Sequence, residues 1–297
     1  MHVIAVVGPT GSGKSALALE AAERLGAEIV AVDAFTVYRG MDVGTAKPSA
    51  AERARVPHHL VDVLEPEQDC TVQWFQERAR AAVADVLGRG RPVLLVGGSG
   101  LYFRSVVDPL EFPPTDPVVR GRVEERFGGD AAAAHAELEA RDPEAAAHMD
   151  PGNLRRAVRA LEVLELTGRR FSEWRQAWDR YDAAIYPGLE VLGVDLPRAE
   201  LADRIERRTR RMLEAGWDAE AERLRRRTLS ATARQALGYA ELFAHLDGDC
   251  TIDEAAERIA ARTRRYAASQ GRWFRADPRV RWLPQTALAE EIIRCAS

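Results

Sequence analysis

A glycine-rich octapeptide near the start of the chain has the residue types and spacing to hold phosphate. Residues 8–15 read GPTGSGKS and match the pattern GxxxxGK[ST], directly after an apolar run and before a stretch with helical periodicity. In this context backbone amides turn inward around phosphate oxygens, the helix N-terminus adds its positive end, and a lysine neutralises charge. The alternative is a glycine-rich turn that only caps a helix.

The motif predicts a phosphate-binding loop that holds a diphosphate or a triphosphate. ATP is one candidate occupant, Mg²⁺ is the expected cofactor, and the hydroxyl of Ser15 is its expected ligand. The loop residues are Gly8, Pro9, Thr10, Gly11, Ser12, Gly13, Lys14 and Ser15.

A carboxylate that could act beside this loop must come from the end of another strand. The apolar run RPVLLV at 91–96 ends in GGSG and offers none, whereas EIVAV at 28–32 is followed by Asp33. Asp33 could belong to the metal sphere, act as a general base, or cap the segment that follows it. The sequence leaves these three alternatives open.

Lysine is rare in a chain that is otherwise rich in arginine. Of the 42 basic residues only Lys14 and Lys47 are lysine, which a G+C-rich coding bias explains. The two surviving lysines then mark positions that need a compact ammonium group. Lys47 lies in residues 34–48, a polar segment without clean periodicity, so we expect this segment and Lys47 to contact ligand.

A second chemical signal is a basic segment near the C-terminus. Residues 258–281 contain eight arginines and one acid, Asp277. A helix to Phe274 would align four arginines beside an apolar stripe for packing. The arginines are Arg258, Arg262, Arg265 and Arg272, and the stripe is Ile259, Tyr266 and Trp273. Such a face fits a polyanionic backbone with unstacked bases, although a solvated face is the alternative.

The elements that must position these residues form an α/β pattern. Buried strands are predicted at 2–7, 28–32, 91–96 and 189–194, with helical stretches between them. After the FPPTDP segment at 112–117, the chain up to about residue 186 has helical patterns only. We therefore predict a P-loop NTPase-like parallel sheet flanked by helices, comprising residues 1–112 and 187–297, with an inserted all-helical module at 113–186.

Composition excludes several classes of protein. With 42 basic and 46 acidic residues among 297, the net charge of −4 argues against a small cationic nucleic-acid binder and against a disordered polyampholyte. Three widely spaced cysteines argue against a zinc site and a disulfide framework. No basic leader precedes the first strand and no apolar stretch approaches 18 residues, so we expect a cytoplasmic protein without a membrane partner.

Seven segments together resemble one enzyme family. They are GPTGSGKS at 8–15, VDAFTVYRGMDVGTAKP at 32–48, GGSGLY at 97–102, DPVVR at 116–120, NLRRAVRALEV at 153–163, ARQALGYAEL at 233–242 and TRRYAASQGRWFR at 263–275. The set is similar to the tRNA dimethylallyltransferases, also called the tRNA isopentenyltransferase or IPP transferase family. Its bacterial members prenylate the adenosine just 3′ of the anticodon.

The resemblance implies a substrate pair and a set of roles. The core and a mobile helical module would clamp the anticodon stem-loop of tRNA, and the flipped adenosine would meet dimethylallyl diphosphate in a channel. Asp33 would be the general base, with Lys14 and Thr10 as further catalytic residues, and the enzyme would be a monomer. Contacts to tRNA would come from Asp33, Ala34, Phe35, Thr36, Ser99, Arg120, Arg155, Arg156, Arg159, Arg234, Gln270, Arg272 and Arg275.

Five positions depart from the family pattern, which usually has serine at 34, often glutamine at 36, threonine at 99 and Lys-Arg at 268–269. Here the residues are Ala34, Thr36, Ser99 and Ala268-Ser269. Hydrogen bonds to the flipped base must therefore be rearranged or weaker, and neighbours such as Arg265 would replace two phosphate contacts.

Three rival functions fit parts of the sequence. A small-molecule or nucleoside kinase would explain the loop but not the basic helix. A prenyltransferase for free adenine nucleotides would share the loop and Asp33 and would not use the basic helix. A nucleotide-switched RNA-binding module would need guanine recognition, and the chain contains no NKxD motif.

Overall fold

The computed structural model describes residues 2–175, 180–182 and 184–296 of the chain. The chain divides into two compact units. The core unit comprises Met1–Val107 and Ala184–Ser297, and the helical unit comprises Asp108–Ala183. Within the described residues, no helix is long and apolar enough to cross a membrane.

The core unit is built on six parallel strands in the order β3-β2-β4-β1-β5-β6. The strands are β1 Val3–Val7, β2 Glu28–Val32, β3 His58–His59, β4 Val93–Gly97, β5 Glu190–Asp195 and β6 Val280–Pro284. The predicted parallel sheet is confirmed. The sequence analysis missed the two outer strands because β3 has only two residues and β6 is short, has a single buried residue, contains an arginine and ends in proline.

Helices cover both faces of this sheet. They are α1 Lys14–Leu25, α2 Ala50–Arg55, α3 Val72–Gly88 and α4 Gly100–Val107 in the first part of the core unit. In the second part they are α9 Arg198–Glu214, α10 Trp217–Arg225, α11 Tyr239–Leu246, α12 Ile252–Arg275 and α13 Gln285–Ala296, with a short 3-10 turn at Ala233–Gln235. The labels α5 to α8 belong to the helical unit.

The central strand β1 shows how the layers form. All five of its residues are buried, and successive side chains point to opposite faces. Ile4 and Val6 pack with α1 and α13, whereas Val3, Ala5 and Val7 belong to the core beneath α3, α4, α10, α11 and α12. Because helices cover both faces of the sheet, β1 consists of apolar residues throughout and does not alternate between apolar and polar side chains.

The carboxyl ends of three strands meet at one edge of the sheet. Gly97 of β4 lies opposite both Val7 of β1 and Val32 of β2. The strand that leads to Asp33 is thus separated from β1 by β4. A side chain at Gly97 would overlap the carbonyl oxygen of Val32, so glycine permits the three strand ends to approach closely. Ligands of open parallel sheets bind at this edge.

The helical unit contains α5 Pro117–Phe127, α6 Ala131–Arg141, α7 Pro143–Ala147, α8 Leu154–Thr167 and a 3-10 turn at Phe171–Arg175. Each α-helix begins with a side-chain cap, provided by Asp116, Asp130, Asp142 and Asn153. Among the described residues of this unit there is no strand, as expected. The expectation for residues 176–179 and 183 lies outside the described chain.

Candidate active site

The glycine-rich loop connects β1 to α1. Gly11 and Gly13 have φ angles of 83° and 86°, in the left-handed region that glycine adopts without strain. A side chain at Gly13 would also collide with Gln285 of α13. Lys14 is the first residue of α1, and its ammonium donates to the carbonyl oxygen of Pro9 at 3.3 Å. The amides at this helix N-terminus and Lys14 suit an anion.

Gln270 of α12 holds the loop in place. The amide of Thr10 donates to Gln270 Oε1 at 2.9 Å, and Gln270 Nε2 donates to the carbonyl oxygen of Gly98 at 2.8 Å. The side chain thereby ties the loop to the end of β4. It is buried, with 7% of its surface exposed. The structure therefore gives Gln270 a positioning role, which the predicted contact with tRNA did not anticipate.

Arg208 of α9 is a site residue that the sequence analysis missed. Its Nη1 donates to the hydroxyl of Thr10 at 3.1 Å, and its guanidinium lies near Lys14 and Asp33. Burial lowers the pKa of Arg208. Helix α9 contains six arginines, and this local excess of positive charge was the one feature of the sequence that could have indicated an anion site. Nothing local in the sequence shows that α9 lies along a loop almost two hundred residues earlier.

Lys14 has an unusual protonation equilibrium. Burial, reinforced by the positive charge of Arg208, lowers the pKa of Lys14 to about 8, while the negative charge of Asp33 opposes this shift. Two cations therefore converge at the loop with one nearby carboxylate. An anion bound between Lys14 and Arg208 would relieve their repulsion.

Asp33 follows β2 and uses its two carboxylate oxygens differently. Oδ1 accepts hydrogen bonds from the amides of Phe35 at 2.8 Å and Thr36 at 3.3 Å, which is the capping alternative. For Oδ2 the described part of the chain provides no hydrogen-bond partner. Because Asp33 also lines a cavity, capping leaves one oxygen for chemistry.

That cavity connects the loop to the segment after β2. Its volume is about 220 Å³, and Thr10, Lys14, Ser15, Asp33 and Arg208 contribute to its walls. The cavity is smaller than the ~300–1,000 Å³ of pockets for drug-sized molecules. It therefore suits a small ligand or one end of a larger ligand.

The three residues after Asp33 have different surroundings. Phe35 is half-buried and lines the cavity. Thr36 also lines it, and its buried hydroxyl has no partner among the described residues, so it is available to a ligand. Ala34 instead belongs to the hydrophobic core beneath the sheet. Of the two replaced family positions, only Thr36 borders the cavity.

Tyr266 belongs to the apolar stripe of α12 that the sequence predicts for packing. Ile259 and Trp273 do pack on the core. Tyr266, however, lines the cavity, and its pKa is raised by burial and by the neighbouring negative charge of Asp33. Its phenol hydroxyl therefore stays protonated beside that carboxylate.

Lys47 lines the cavity together with residues 44–48, and its contact with ligand remains a prediction. Its ammonium donates to the carbonyl oxygen of Tyr38, to Asp42 Oδ1 and to Asp62 Oδ1, each at 2.6 Å. An ammonium has three N–H donors, and here protein groups take all three. The side chain of Lys47 is only 2% exposed, and its contacts stabilise the segment of residues 34–48. These three protein acceptors account for the buried ammonium.

Glu220 of α10 fixes the same segment from the other side. This buried carboxylate accepts the amides of Asp42 at 2.7 Å, Val43 at 2.9 Å and Gly44 at 3.0 Å. It also accepts the hydroxyl of Tyr239 at 2.8 Å. The sequence analysis missed this clamp because a carboxylate inside an amphipathic helix resembles any solvated one.

The predicted basic face of α12 is only partly available. Arg262 is engaged by Glu241 at 3.0 Å, and Arg275 by Asp195 at 2.8 Å. Arg265 and Arg272 are exposed, and the described residues give neither an ion-pair partner. Three other predicted site residues of the core unit differ in exposure. Ser15 and Arg234 are exposed, whereas Ser99, just before α4, is half-buried.

In the helical unit, two predicted tRNA contacts are engaged in a buried ion-pair cluster. Glu162 is fully buried and binds Arg120 and Arg159, each at 2.9 Å. Burial alone would raise the pKa of Glu162, but hydrogen bonds from Thr115, from the amide of Asp116 and from Arg159 lower it. Arg159 also donates to the carbonyl oxygens of Pro113 and Pro114. Arg155 and Arg156 remain exposed.

Comparisons with known proteins extend over both units. The profile of the IPP transferase family matches residues 36–277, and an isopentenyl transferase profile matches residues 1–60. The tRNA dimethylallyltransferase of Bifidobacterium longum is 49% identical over 288 residues, covering 95% of this chain and 86% of that protein.

Solved structures show the same similarity. A tRNA isopentenylpyrophosphate transferase from Bacillus halodurans, 36% identical, superposes with a TM-score of 0.71 over 99% of this chain and 94% of its own. A eukaryotic dimethylallyltransferase acting on tRNA, 23% identical, shares the fold with a TM-score of 0.81 over 96% of this chain and 75% of its own.

Proposed function

The chain belongs to the IPP transferase family, and we propose that it transfers a dimethylallyl group from dimethylallyl diphosphate to tRNA. The acceptor is the exocyclic amine of the adenosine 3′-adjacent to the anticodon, and diphosphate is released. One observation carries this proposal: a two-cation site and a carboxylate, one oxygen of which the described residues leave available, line the same cavity. That arrangement combines a leaving-group site with a base.

The loop serves the departing diphosphate. An allylic carbon–oxygen bond ionises readily once charge on its leaving group is stabilised. Lys14, Arg208 and the amides at the start of α1 converge at the loop without reorganisation, which is the condition for strong electrostatic stabilisation. Gln270 keeps Thr10 and its amide in this arrangement.

Asp33 serves the nucleophile. The lone pair of an adenine amine is delocalised, so the amine attacks effectively only as its proton is removed. Oδ2 of Asp33 accepts that proton while Oδ1 remains hydrogen-bonded to the turn. The hydroxyls of Thr36 and Tyr266 line the same cavity and supply polar contacts to the base. A stacked adenosine cannot present its amine here, so the base must flip out.

A Mg²⁺ ion fits the residues at the loop. Ser15 is exposed and lines the cavity, and oxygen ligands such as its hydroxyl suit Mg²⁺, which retains several waters. When bound, the ion would neutralise charge on the diphosphate. Among the described residues there is no cluster of three His, Cys, Asp or Glu side chains for a metal, so the remaining ligands would be waters and phosphate oxygens.

The decisive experiment is nucleoside analysis of unmodified tRNA after incubation with the protein, Mg²⁺ and dimethylallyl diphosphate. Isopentenyladenosine should appear next to the anticodon, and the Lys14→Ala protein serves as the inactive control. Adenosine monophosphate is offered as a competing acceptor. Prenylation of the free nucleotide without prenylation of tRNA would overturn the proposal in favour of a free-nucleotide enzyme.

Diphosphate binding should weaken at alkaline pH. The ammonium of Lys14, with a pKa of about 8 in the free protein, favours the anion, so loss of its proton lowers affinity. We expect the Kd for dimethylallyl diphosphate to be flat below about pH 7 and to rise by up to ~10-fold per pH unit above about pH 8.

Calorimetric titrations across this range measure the effect. In the Lys14→Met protein the residual affinity should no longer vary with pH in this range. An unchanged alkaline slope in that variant would assign the titration to another group.

The exposed arginines of α12 should contribute to tRNA affinity. Replacing Arg265 and Arg272 by glutamine removes two exposed charges and leaves the buried face of α12 intact. The slope of log affinity against log salt should flatten by roughly 0.7–0.9 for each phosphate that is no longer neutralised. Turnover at saturating tRNA should change little, because backbone contacts position the substrate.

The control is the double variant Arg198→Gln/Arg223→Gln, which loses the same charge at exposed positions of α9 and α10. Filter binding across a salt series compares the three proteins. If the plots of log affinity against log salt coincided for wild type and the α12 variant, this face of α12 would not bind tRNA and would only be exposed to solvent.

A further inference from the structure

A second cavity borders the loop and shares Arg208 with the cavity that contains Asp33. Its lining includes Gly11 and Gly13 of the loop and Arg204, Arg207, Arg208 and Arg211 of α9. We call it the arginine groove. Ile205 and Leu201 of α9 approach Gly11 closely, so the helix is packed directly against the loop.

Positive charge in the arginine groove is not balanced by neighbouring carboxylates. Arg204 is paired with Glu200 at 2.7 Å. For Arg207, Arg208 and Arg211 the described residues offer no carboxylate at ion-pair distance, and a single acid, Glu214, is part of the lining. The charges of Arg208 and Arg211 act on each other, which lowers the pKa of Arg208 beyond the effect of burial. Such a cluster attracts a multivalent anion.

The arginine groove is continuous with the leaving-group site. Arg208 lines both the groove and the cavity, and it donates to Thr10 of the loop between them. The loop contributes Gly11 and Gly13 to the lining of the groove. A diphosphate that moved from Arg207 and Arg211 towards Lys14 would therefore stay in contact with Arg208.

We propose that the arginine groove is a second, weaker diphosphate site, which captures dimethylallyl diphosphate on its way to the loop and receives the diphosphate product on its way out. The inference rests on the proposed function for the identity of the ligand. A phosphate backbone of RNA would also suit arginines, but the groove opens onto the diphosphate loop itself and shares Arg208 with it. These two features favour a small diphosphate.

The test compares wild type with Arg207→Gln/Arg211→Gln at low and high salt, with tRNA kept saturating at each salt concentration. The variant should lower kcat/KM for dimethylallyl diphosphate by ~3- to 10-fold at low salt, and the difference should vanish at high salt, since steering is screened. The single-turnover rate at saturating substrate and the tRNA Kd should remain unchanged. The Arg198→Gln/Arg223→Gln protein is the matched control.

Two further measurements secure the result. The charge-preserving variant Arg207→Lys/Arg211→Lys should retain most of kcat/KM, which separates charge from folding. Calorimetry with inorganic diphosphate should resolve a tight and a weak site in wild type, and only the tight site in the glutamine variant. This readout also works if wild type transfers no dimethylallyl group, an outcome that would sink the proposed function alone.

Three results would overturn the groove proposal. One is an equal loss of kcat/KM in the control. Another is a single class of diphosphate site in wild type. The third is a fall in tRNA affinity with unchanged diphosphate binding, which would make the arginine groove an RNA surface.

Discussion

Lys14→Arg is expected to reduce kcat almost as far as Lys14→Ala, which should lose ~100- to 1,000-fold, the scale of removing one preorganised group at a developing charge. The loop curves tightly around a point charge, with Lys14 Nζ at 3.3 Å from the carbonyl oxygen of Pro9. Arg208 already places a guanidinium at Thr10 of the loop, close enough for its charge to act on Lys14. A second guanidinium would be larger, planar and mutually repulsive there. Single-turnover transfer to tRNA measures the loss.

Circular dichroism and thermal melting of both Lys14 variants establish that the fold is intact. An arginine variant that kept more than about a third of wild-type turnover, a difference below ~1 kcal/mol, would show that the loop accepts any cation. The scarcity of lysine in this chain would then carry no information about the site.

Asp33→Asn should bind both substrates about normally and lose on the order of 100-fold or more in the chemical step, as expected when a general base is removed. The structure indicates that this substitution separates the basic function of Asp33 from its capping contacts. The amide oxygen of asparagine can still accept the amides of Phe35 and Thr36, so the turn after β2 is retained while the basic oxygen is lost.

Asp33→Ala is the informative companion, because it removes the turn contacts as well and should also weaken substrate binding. Rapid-quench rates and equilibrium titrations distinguish the two effects. If Asp33→Asn lost only affinity for Mg²⁺ or diphosphate, Asp33 would belong to the metal sphere and the base would lie elsewhere.

The sequence predicted those strands, loops and helices whose conformation is determined by residues close together in the chain. The strand, loop and helix from Val3 to Leu25 are fixed by an apolar run, by glycines that permit left-handed backbone and by a helical period. Asp33 was identified because its position after β2 follows from the strand pattern alone. Of the three alternatives left open for Asp33, the capping contact is present through Oδ1, while the roles in the metal sphere and as general base remain predictions.

What the sequence could not reveal depends on contacts between distant segments. Arg208 and Gln270 both bind Thr10, and no local pattern distinguishes them from other polar residues on amphipathic helices. Lys47 was singled out because lysine is scarce, and its ammonium donates to Tyr38, Asp42 and Asp62. A residue type indicates a chemical requirement, and only tertiary structure shows whether ligand or protein imposes it.

The anchoring of Thr10 by Gln270 has a consequence for biosynthesis. The GxxxxGK[ST] motif leaves the ribosome before the later half of the core unit, but its strand β1 pairs with β5, and the loop contacts Arg208, Gln270 and α13. A nascent chain that ends before α12 therefore contains the whole motif, β5 and Arg208, but lacks Gln270 and α13. Ligand affinity should emerge late and abruptly during synthesis, so truncated products would not sequester cellular diphosphates.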